Sequence, residues 1–385
     1  MTDMRPFTID VPQADLDDLR QRLLQSRLFD SDLPPAAGVP TGYLRELVSY
    51  WAEKFDWRAA ERQLNELPQF QADVTTDHGD FSLHFVHARG KGPHPMPLLF
   101  THGWPGSFWE VHKILGPLTD PAAHGGDPAD AFDVVAPSLP GYGFSPHPGR
   151  PGVDPGAIAD AFHALMTRTL DYPRYVAQGG DWGSLVTTAL ARDHGGSNEQ
   201  GVAAIHLNMF AGPYLPSGEP SPAEQSYLGK QRAWQAAEGG YGHIQGTKPL
   251  TLGHALADSP AGLAAWIVEK FQTWSDCDGD VERVFSKDDL LTHIMLYWLG
   301  GTISTSFRLY HELDPGQPLG NEPIATPTAF AAFAHEFSTA PREVVARAFD
   351  LERYTEFDSG GHFAALEKPV ELVEDIRAAF RPHRR

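Results

Sequence analysis

The sequence predicts an α/β fold, a mostly parallel doubly wound sheet carrying a helical insertion, and three observations support it. Short apolar runs of strand length recur from about Phe70 onward, with helical segments between them. The turn Gly179-Gly180-Asp181-Trp182-Gly183-Ser184 joins one such strand to a helix. After Asn208-Met209-Phe210 the pattern changes, and helices and loops replace strands until about Asn321.

Before the first strand, the chain reads as helical and extended rather than sheet-forming. Pro12 suits the first turn of a helix after Asp10, with Leu16, Leu19 and Leu23 on one face. A second helix is expected over Tyr43 to Phe55 and a third over Trp57 to Asn65. Asp80 to His87 alternates as a strand. Met96 to Thr101 and Phe132 to Ala136 are continuous apolar runs suited to a sheet covered on both faces. Arg174 to Gln178 and Val202 to Leu207 continue the series, and Ile158 to Thr169 supplies an intervening helix. Within the insertion, helices are expected over Pro222 to Ala237, Gly262 to Trp274 and Leu290 to Thr305. Strand character returns at Pro327 to Phe333 and Arg353 to Phe357, and Pro369 to Phe380 closes the fold as a helix. The expected division is 1–70 as an N-terminal meander, 71–210 as the first part of the sheet domain, 211–321 as a helical lid and 322–385 as the second part of the sheet domain.

A chain of 385 residues can bury a full core. Its single cysteine, Cys277, excludes an internal disulfide and fits a reducing compartment. With 30 basic against 50 acidic residues the formal charge is −20, which disfavours nucleic acid or an anionic membrane as a partner. The start, Met1-Thr2-Asp3-Met4-Arg5-Pro6, lacks the basic and apolar run of a signal peptide, and no apolar stretch reaches the length of a membrane helix. The expectation is a soluble, cytoplasmic protein without a membrane anchor. Abundant Ala, Gly, Pro and Arg fit a GC-rich bacterial genome. No His-Glu-x-x-His or cysteine-rich ligand pattern occurs, so no metal or other cofactor is expected.

Asp181 carries the chemical expectation. It stands where G-x-S-x-G hydrolases hold their nucleophile, on a sharp turn flanked on both sides by small residues, Gly179 and Gly183 two positions away. A serine that attacks saturated carbon becomes an ether, which water cannot readily cleave. An aspartate becomes an ester, whose carbonyl a second water can attack. An elbow Asp therefore points to displacement at an sp3 carbon, with epoxides and alkyl halides as electrophiles. Taken alone, the same residue is equally well a helix N-cap, a position that favours Asp.

The run His102-Gly103-Trp104-Pro105-Gly106-Ser107 follows the strand ending at Thr101. In an α/β-hydrolase this loop supplies one backbone N–H of the oxyanion hole and the residue after the nucleophile supplies the other, which selects Trp104 and Trp182. His102 reads as a turn residue rather than a base. Gly360-Gly361-His362-Phe363 lies after a strand and before the final helix, where a triad histidine falls, so His362 is the candidate base. Glu336 has the chain order of the triad acid, with Asp350, Glu352, Glu356 and Asp358 as competitors.

Together these motifs resemble the microsomal-type epoxide hydrolases, a family of the α/β-hydrolase fold that includes juvenile-hormone epoxide hydrolases and soluble microbial members. The resemblance spans nearly the whole chain: Arg5-Pro6-Phe7 and Val11 to Leu23, HGWPGS at 102–107, GYGFS at 141–145, GGDWGS at 179–184, the insertion motifs from Gly240 to Pro249 and from Asp258 to Phe271, and GGHFAALEKP at 360–369. It implies Asp181 as nucleophile, Glu336 as acid partner, His362 as base, and Tyr241 and Tyr310 as phenols that hydrogen-bond the epoxide oxygen and protonate it. It implies a small-molecule epoxide and water as the reactants, with a vicinal diol as product and no cofactor. Mammalian microsomal members carry an anchoring segment before this region, whereas the present chain begins almost within it, so the resemblance is to the soluble members, some of which are homodimers.

A haloalkane dehalogenase is the enzymatic rival, in which the indoles of Trp104 and Trp182 would bind halide and the two tyrosines would have no required role. A catalytically silent ligand-binding protein of the same fold is the alternative of another class. Trp109, Trp234, Trp266 and Trp298 are candidate pocket aromatics, consistent with an aryl or bulky apolar epoxide handled in detoxification or natural-product synthesis, and equally suited to the core.

Overall fold

The computed structural model describes residues 4–196, 200–216, 218–313 and 319–384. Its nine strands are β1 (Arg5–Pro6), β2 (Gln69–Thr76), β3 (Gly79–Ala88), β4 (Met96–Thr101), β5 (Phe132–Pro137), β6 (Arg174–Gly179), β7 (Gly201–Leu207), β8 (Ile324–Phe333) and β9 (Phe349–Phe357). They form one sheet in the order β1-β2-β3-β5-β4-β6-β7-β8-β9. From β5 to β9 every pairing is parallel, while β1, β2 and β3 extend one edge antiparallel. Phe132 to Pro137 is buried along its whole length, as a central strand covered on both faces must be. Helices α1 (Gln13–Leu24), α2 (Thr41–Glu53) and α3 (Trp57–Asn65) precede β2. The core helices are α4 (His112–Thr119), α5 (Pro155–Ala164) and α6 (Trp182–His194), and α5 packs on α6.

Between β7 and β8 the chain forms α7 (Pro222–Glu238), α8 (Gly240–Thr247), α9 (Pro249–Asp258), α10 (Pro260–Trp274), α11 (Lys287–Gly300), α12 (Ile303–Ser306) and α13 (Arg308–Glu312). The remaining helices are α14 (Arg342–Ala348), α15 (Ala364–Glu367) and α16 (Pro369–Phe380), the last packed on α4. The N-terminal helices brace the insertion: α1 and α2 pack on α10, and the Trp51 indole lies 3.3 Å from Met295 Sδ of α11. No helix among the described residues is long and apolar enough to cross a membrane.

Several expectations need correction. The first segment does enter the sheet, because Arg5 and Pro6 pair with Gln71 and Phe70 as an edge strand, where a proline lacking an N–H is tolerated. Pro12 is the residue preceding α1, not part of its first turn. The helix expected over Ile158 to Thr169 changes at Leu165 to a π-helical turn. The helix expected over Leu290 to Thr305 is interrupted at Gly301, which adopts φ 60° and closes α11 while Thr302 N–H bonds Tyr297 C=O. Helix α8 falls where glycines at 240, 242 and 246 lower the intrinsic propensity, so packing on α7, α9 and α13 stabilises it.

Candidate active site

Asp181 occupies the junction of β6 and α6 with φ 49° and ψ −127°, outside the regions an L-residue prefers. Its side chain makes no capping bond to α6, which removes the N-cap reading. Instead Oδ1 accepts a 2.7 Å hydrogen bond from the Trp104 N–H. The turn is closed by backbone contact: a Cβ on Gly183 would lie 2.0 Å from the Thr101 carbonyl oxygen. A Cβ on Gly103 would lie 2.1 Å from Asp181 Oδ1, so the carboxylate seats directly on that residue.

His362 follows β9 in a short loop, where its N–H bonds the Trp274 carbonyl at 2.9 Å. Its Nδ1 lies 2.8 Å from Glu336 Oε2 and its Nε2 lies 3.3 Å from Asp181 Oδ2. Glu336 is buried just beyond β8, and its other oxygen accepts from the Ser338 N–H at 3.0 Å. Asp350, Glu352, Glu356 and Asp358, the competing acids, are all exposed. The imidazole stacks on Phe337 with centroids 4.6 Å apart. Burial opposes its charge, but Glu336 and Asp181 outweigh burial and raise its pKa to about 10.

Tyr241 on α8 and Tyr310 on α13 face one another with ring centroids 5.8 Å apart. The Trp104 indole lies flat on Tyr241 at 5.3 Å, and Trp182, the first residue of α6, meets Tyr310 edge-on at 4.7 Å. Burial first, and the negative charge of Asp181 second, raise the Tyr241 pKa; burial and then its neighbours, Asp181 among them, do the same for Tyr310. Both phenols therefore keep their protons at neutral pH. Asp181, Trp182, Tyr241 and Tyr310 share the wall of a cavity of about 700 Å³. Its apolar wall includes Leu185, Met209, Trp234 and Phe337. All seven site residues singled out from the sequence thus meet at one place, at the C-terminal ends of the parallel strands.

A family model described as the epoxide hydrolase N terminus matches residues 4–111, and one described as the alpha/beta hydrolase fold matches 96–237. Epoxide hydrolase 1 of Sus scrofa is 38% identical over 407 residues, covering 97% of this chain and 88% of its own. The chain belongs to the epoxide hydrolase family. The structure of Aspergillus niger epoxide hydrolase superposes with TM-score 0.85 at 30% identity, covering 99% of this chain and 96% of the other. That of juvenile hormone epoxide hydrolase from the silkworm Bombyx mori gives 0.87 at 30% identity, with 99% and 94% covered.

Within this epoxide hydrolase the pocket aromatics sort differently from the expectation. Only Trp234 of the four lines the large cavity. Trp109 is buried and stacks on His112 at 4.0 Å, Trp266 donates to Gln245 Oε1 at 3.0 Å, and Trp298 lies beneath Arg22. The partners of these three lie outside the cavity wall, which no composition count could reveal. His102 accepts from the Leu139 N–H at 3.2 Å and is held neutral by burial, its pKa lowered to about 4, in keeping with a turn residue.

Two residues near the chemistry escaped the sequence reading. Lys270 of α10 is buried with its ammonium 4.8 Å from the Tyr241 ring centroid, paired with Glu269. Glu110 lies in the 3-10 turn Phe108–Val111 that follows HGWPGS, and burial raises its carboxyl pKa to about 8. The available signal was an acid set in the apolar run Phe108-Trp109-Glu110-Val111, since a carboxylate among large apolar residues is rarely free of a role.

Proposed function

We propose that Asp181 opens an epoxide through a covalent ester that His362 then helps water to cleave. The observation that carries this reading is the placement of His362 between Asp181 and Glu336, with two protonated phenols across the same cavity from the Asp181 carboxylate. Asp181 Oδ2 attacks a ring carbon and its C–O bond to the ring oxygen breaks. One phenol, Tyr241 or Tyr310, passes its proton to that oxygen while the other hydrogen-bonds it. Oδ1, already held by the Trp104 N–H, becomes the ester carbonyl, and the N–H groups of Trp104 and Trp182 stabilise its later oxyanion.

Alkylation removes the charge of Asp181, one of the two carboxylates that hold His362 protonated. The imidazolium can then give its proton back to the phenolate and act as a neutral base, oriented by Glu336. Water attacks the ester carbonyl carbon and yields a proton to His362 Nε2. The bond from that carbon to the alkyl oxygen breaks, the alkoxide takes the remaining proton, and the vicinal diol leaves. Asp181 is again ionised and His362 again protonated, so the cycle closes.

The apolar wall of Trp182, Leu185, Met209, Trp234 and Phe337 supports an aryl or bulky apolar epoxide, with the helices between β7 and β8 acting as a lid. The acidic composition and single cysteine support a cytoplasmic setting. Single turnover of a styrene-type epoxide in heavy-oxygen water is the direct test. The label is expected in the Asp181 peptide by mass spectrometry, and a first turnover that labels only the diol would rule out the ester.

A further inference from the structure

We propose that the Glu110 carboxyl positions the water that hydrolyses the Asp181 ester, in a chamber distinct from the one that receives the epoxide. The inference rests on the covalent route above and assigns its second step a place. A cavity of about 20 Å³ lies beside Asp181, lined by Thr101, Glu110, Gln178, Asn208 and His362 among others. Asp181 is the one lining residue it shares with the 700 Å³ cavity. The carboxylate therefore forms the partition between a large, partly apolar chamber and a small one. A site needs roughly 10–15 Å³ to hold a single water, so the small chamber admits water and excludes any epoxide.

Its polarity matches that occupant. Thr101 Oγ1 and Gln178 Oε1 are buried and have no hydrogen-bond partner among the described residues. Gln178 spends its Nε2 donor on Asn208 Oδ1 at 2.8 Å, which leaves its acceptor for another molecule. Buried polar atoms of this kind are normally satisfied by protein or by an ordered water with two to four partners. His362, the base, lines the same chamber.

Glu110 is built into this chamber rather than straying into it. A Cβ on Gly106 would lie 1.6 Å from Glu110 Oε1, so the carboxyl rests on that glycine as Asp181 rests on Gly103. The HGWPGS loop thus seats two carboxyl groups, one through each glycine. Glu110 senses the charges of both Asp181 and His362. Its raised pKa leaves it largely neutral at pH 7, able both to donate to and accept from water. Neutrality also spares His362 a further carboxylate charge that would hold it protonated. In the step itself the water oxygen bonds to Asp181 Cγ as its proton passes to His362 Nε2. The Cγ–O(alkyl) bond then breaks, and the water oxygen stays in the regenerated carboxylate.

Rapid-quench kinetics on Glu110→Leu, alongside the wild-type enzyme, separate the two steps. Ester formation is expected within about twofold of wild type, while ester hydrolysis slows roughly 10- to 100-fold and the Asp181 adduct accumulates. Hydrolysis at the wild-type rate, or equal slowing of both steps, would overturn the proposal. A crystal structure of the wild-type protein supplies an arm independent of the variant's folding. One ordered water bonded to Glu110 and His362 is expected, and a chamber without ordered water overturns the assignment. Failure of the covalent route would look different, since the wild-type enzyme itself would then form no adduct.

Discussion

His362 lies between two carboxylates, so its charge follows the state of Asp181. Removing the base while sparing the nucleophile should therefore arrest the cycle midway. In His362→Gln, intact-mass spectrometry is expected to show protein plus one epoxide, with turnover lower by roughly 10²- to 10⁴-fold. Normal turnover without the adduct would exclude His362 as the base. The phenols belong to the first step, and Tyr241→Phe or Tyr310→Phe should each slow ester formation by roughly 10²-fold, measured by tryptophan fluorescence in stopped flow. Wild-type ester formation in either variant would free that tyrosine from ring opening. Asp181 and His362 were legible because each sits in a short motif whose neighbours limit its setting. Glu336 was not separable from four nearby acids by spacing, since burial alone distinguishes it. Tyr241 and Tyr310 lie 69 positions apart in sequence and needed the family resemblance, because a lone tyrosine on a helix carries no pattern.

At the scale of elements, the strand-turn-helix unit around Asp181 is constrained by backbone rather than by side chains. Gly183 faces the Thr101 carbonyl oxygen and carbon and the His102 carbonyl oxygen, none of which is a flexible side-chain tip. Gly183→Ala should destabilise the fold by roughly 1–3 kcal/mol as β4 and α6 are forced apart. Gly229, inside α7, has nothing within 4 Å of an added Cβ, so Gly229→Ala should stabilise by roughly 0.5–1 kcal/mol. Thermal unfolding of the two variants beside wild type checks both signs; equal Tm values would mean that the turn is not tightly closed. Elements with strong periodicity, such as Trp57–Asn65 and Pro369–Phe380, were read to their ends from sequence. The Gly-rich α8 and the two-residue β1 were not, since neither holds its shape without a neighbour.

For the whole molecule, buried histidines set the response to pH. Burial first, and then neighbouring basic side chains, hold His84 to about 3 and His293 to about 3, while burial lowers His102 to about 4. Unfolding lets each return to its ordinary value near 6.5, so the unfolded chain binds more protons below that pH. Their contribution to stability is present above about 6.5 and is lost as pH falls toward 3 to 4. His362 acts with the opposite sign, because its folded value is raised to about 10. Its contribution is complete below about 6.5 and is lost as pH rises through 10. Calorimetry across pH 4 to 10 should therefore give a Tm maximum near neutrality, and a Tm still rising above pH 9 would contradict the His362 assignment.

By itself the sequence determined the class of fold, the nucleophile turn and the expectation of attack at saturated carbon, because hydrophobic period and tight-turn composition are local properties. Only the tertiary structure decided which acid orients His362, which tryptophan lines the cavity, and that Asp181 divides a large chamber from a small one. Those are matters of burial and of contact between residues far apart in the chain, such as Gly103 with Asp181 and Glu336 with His362. No spacing along the chain encodes them, since they exist only once the strands and inserted helices have packed.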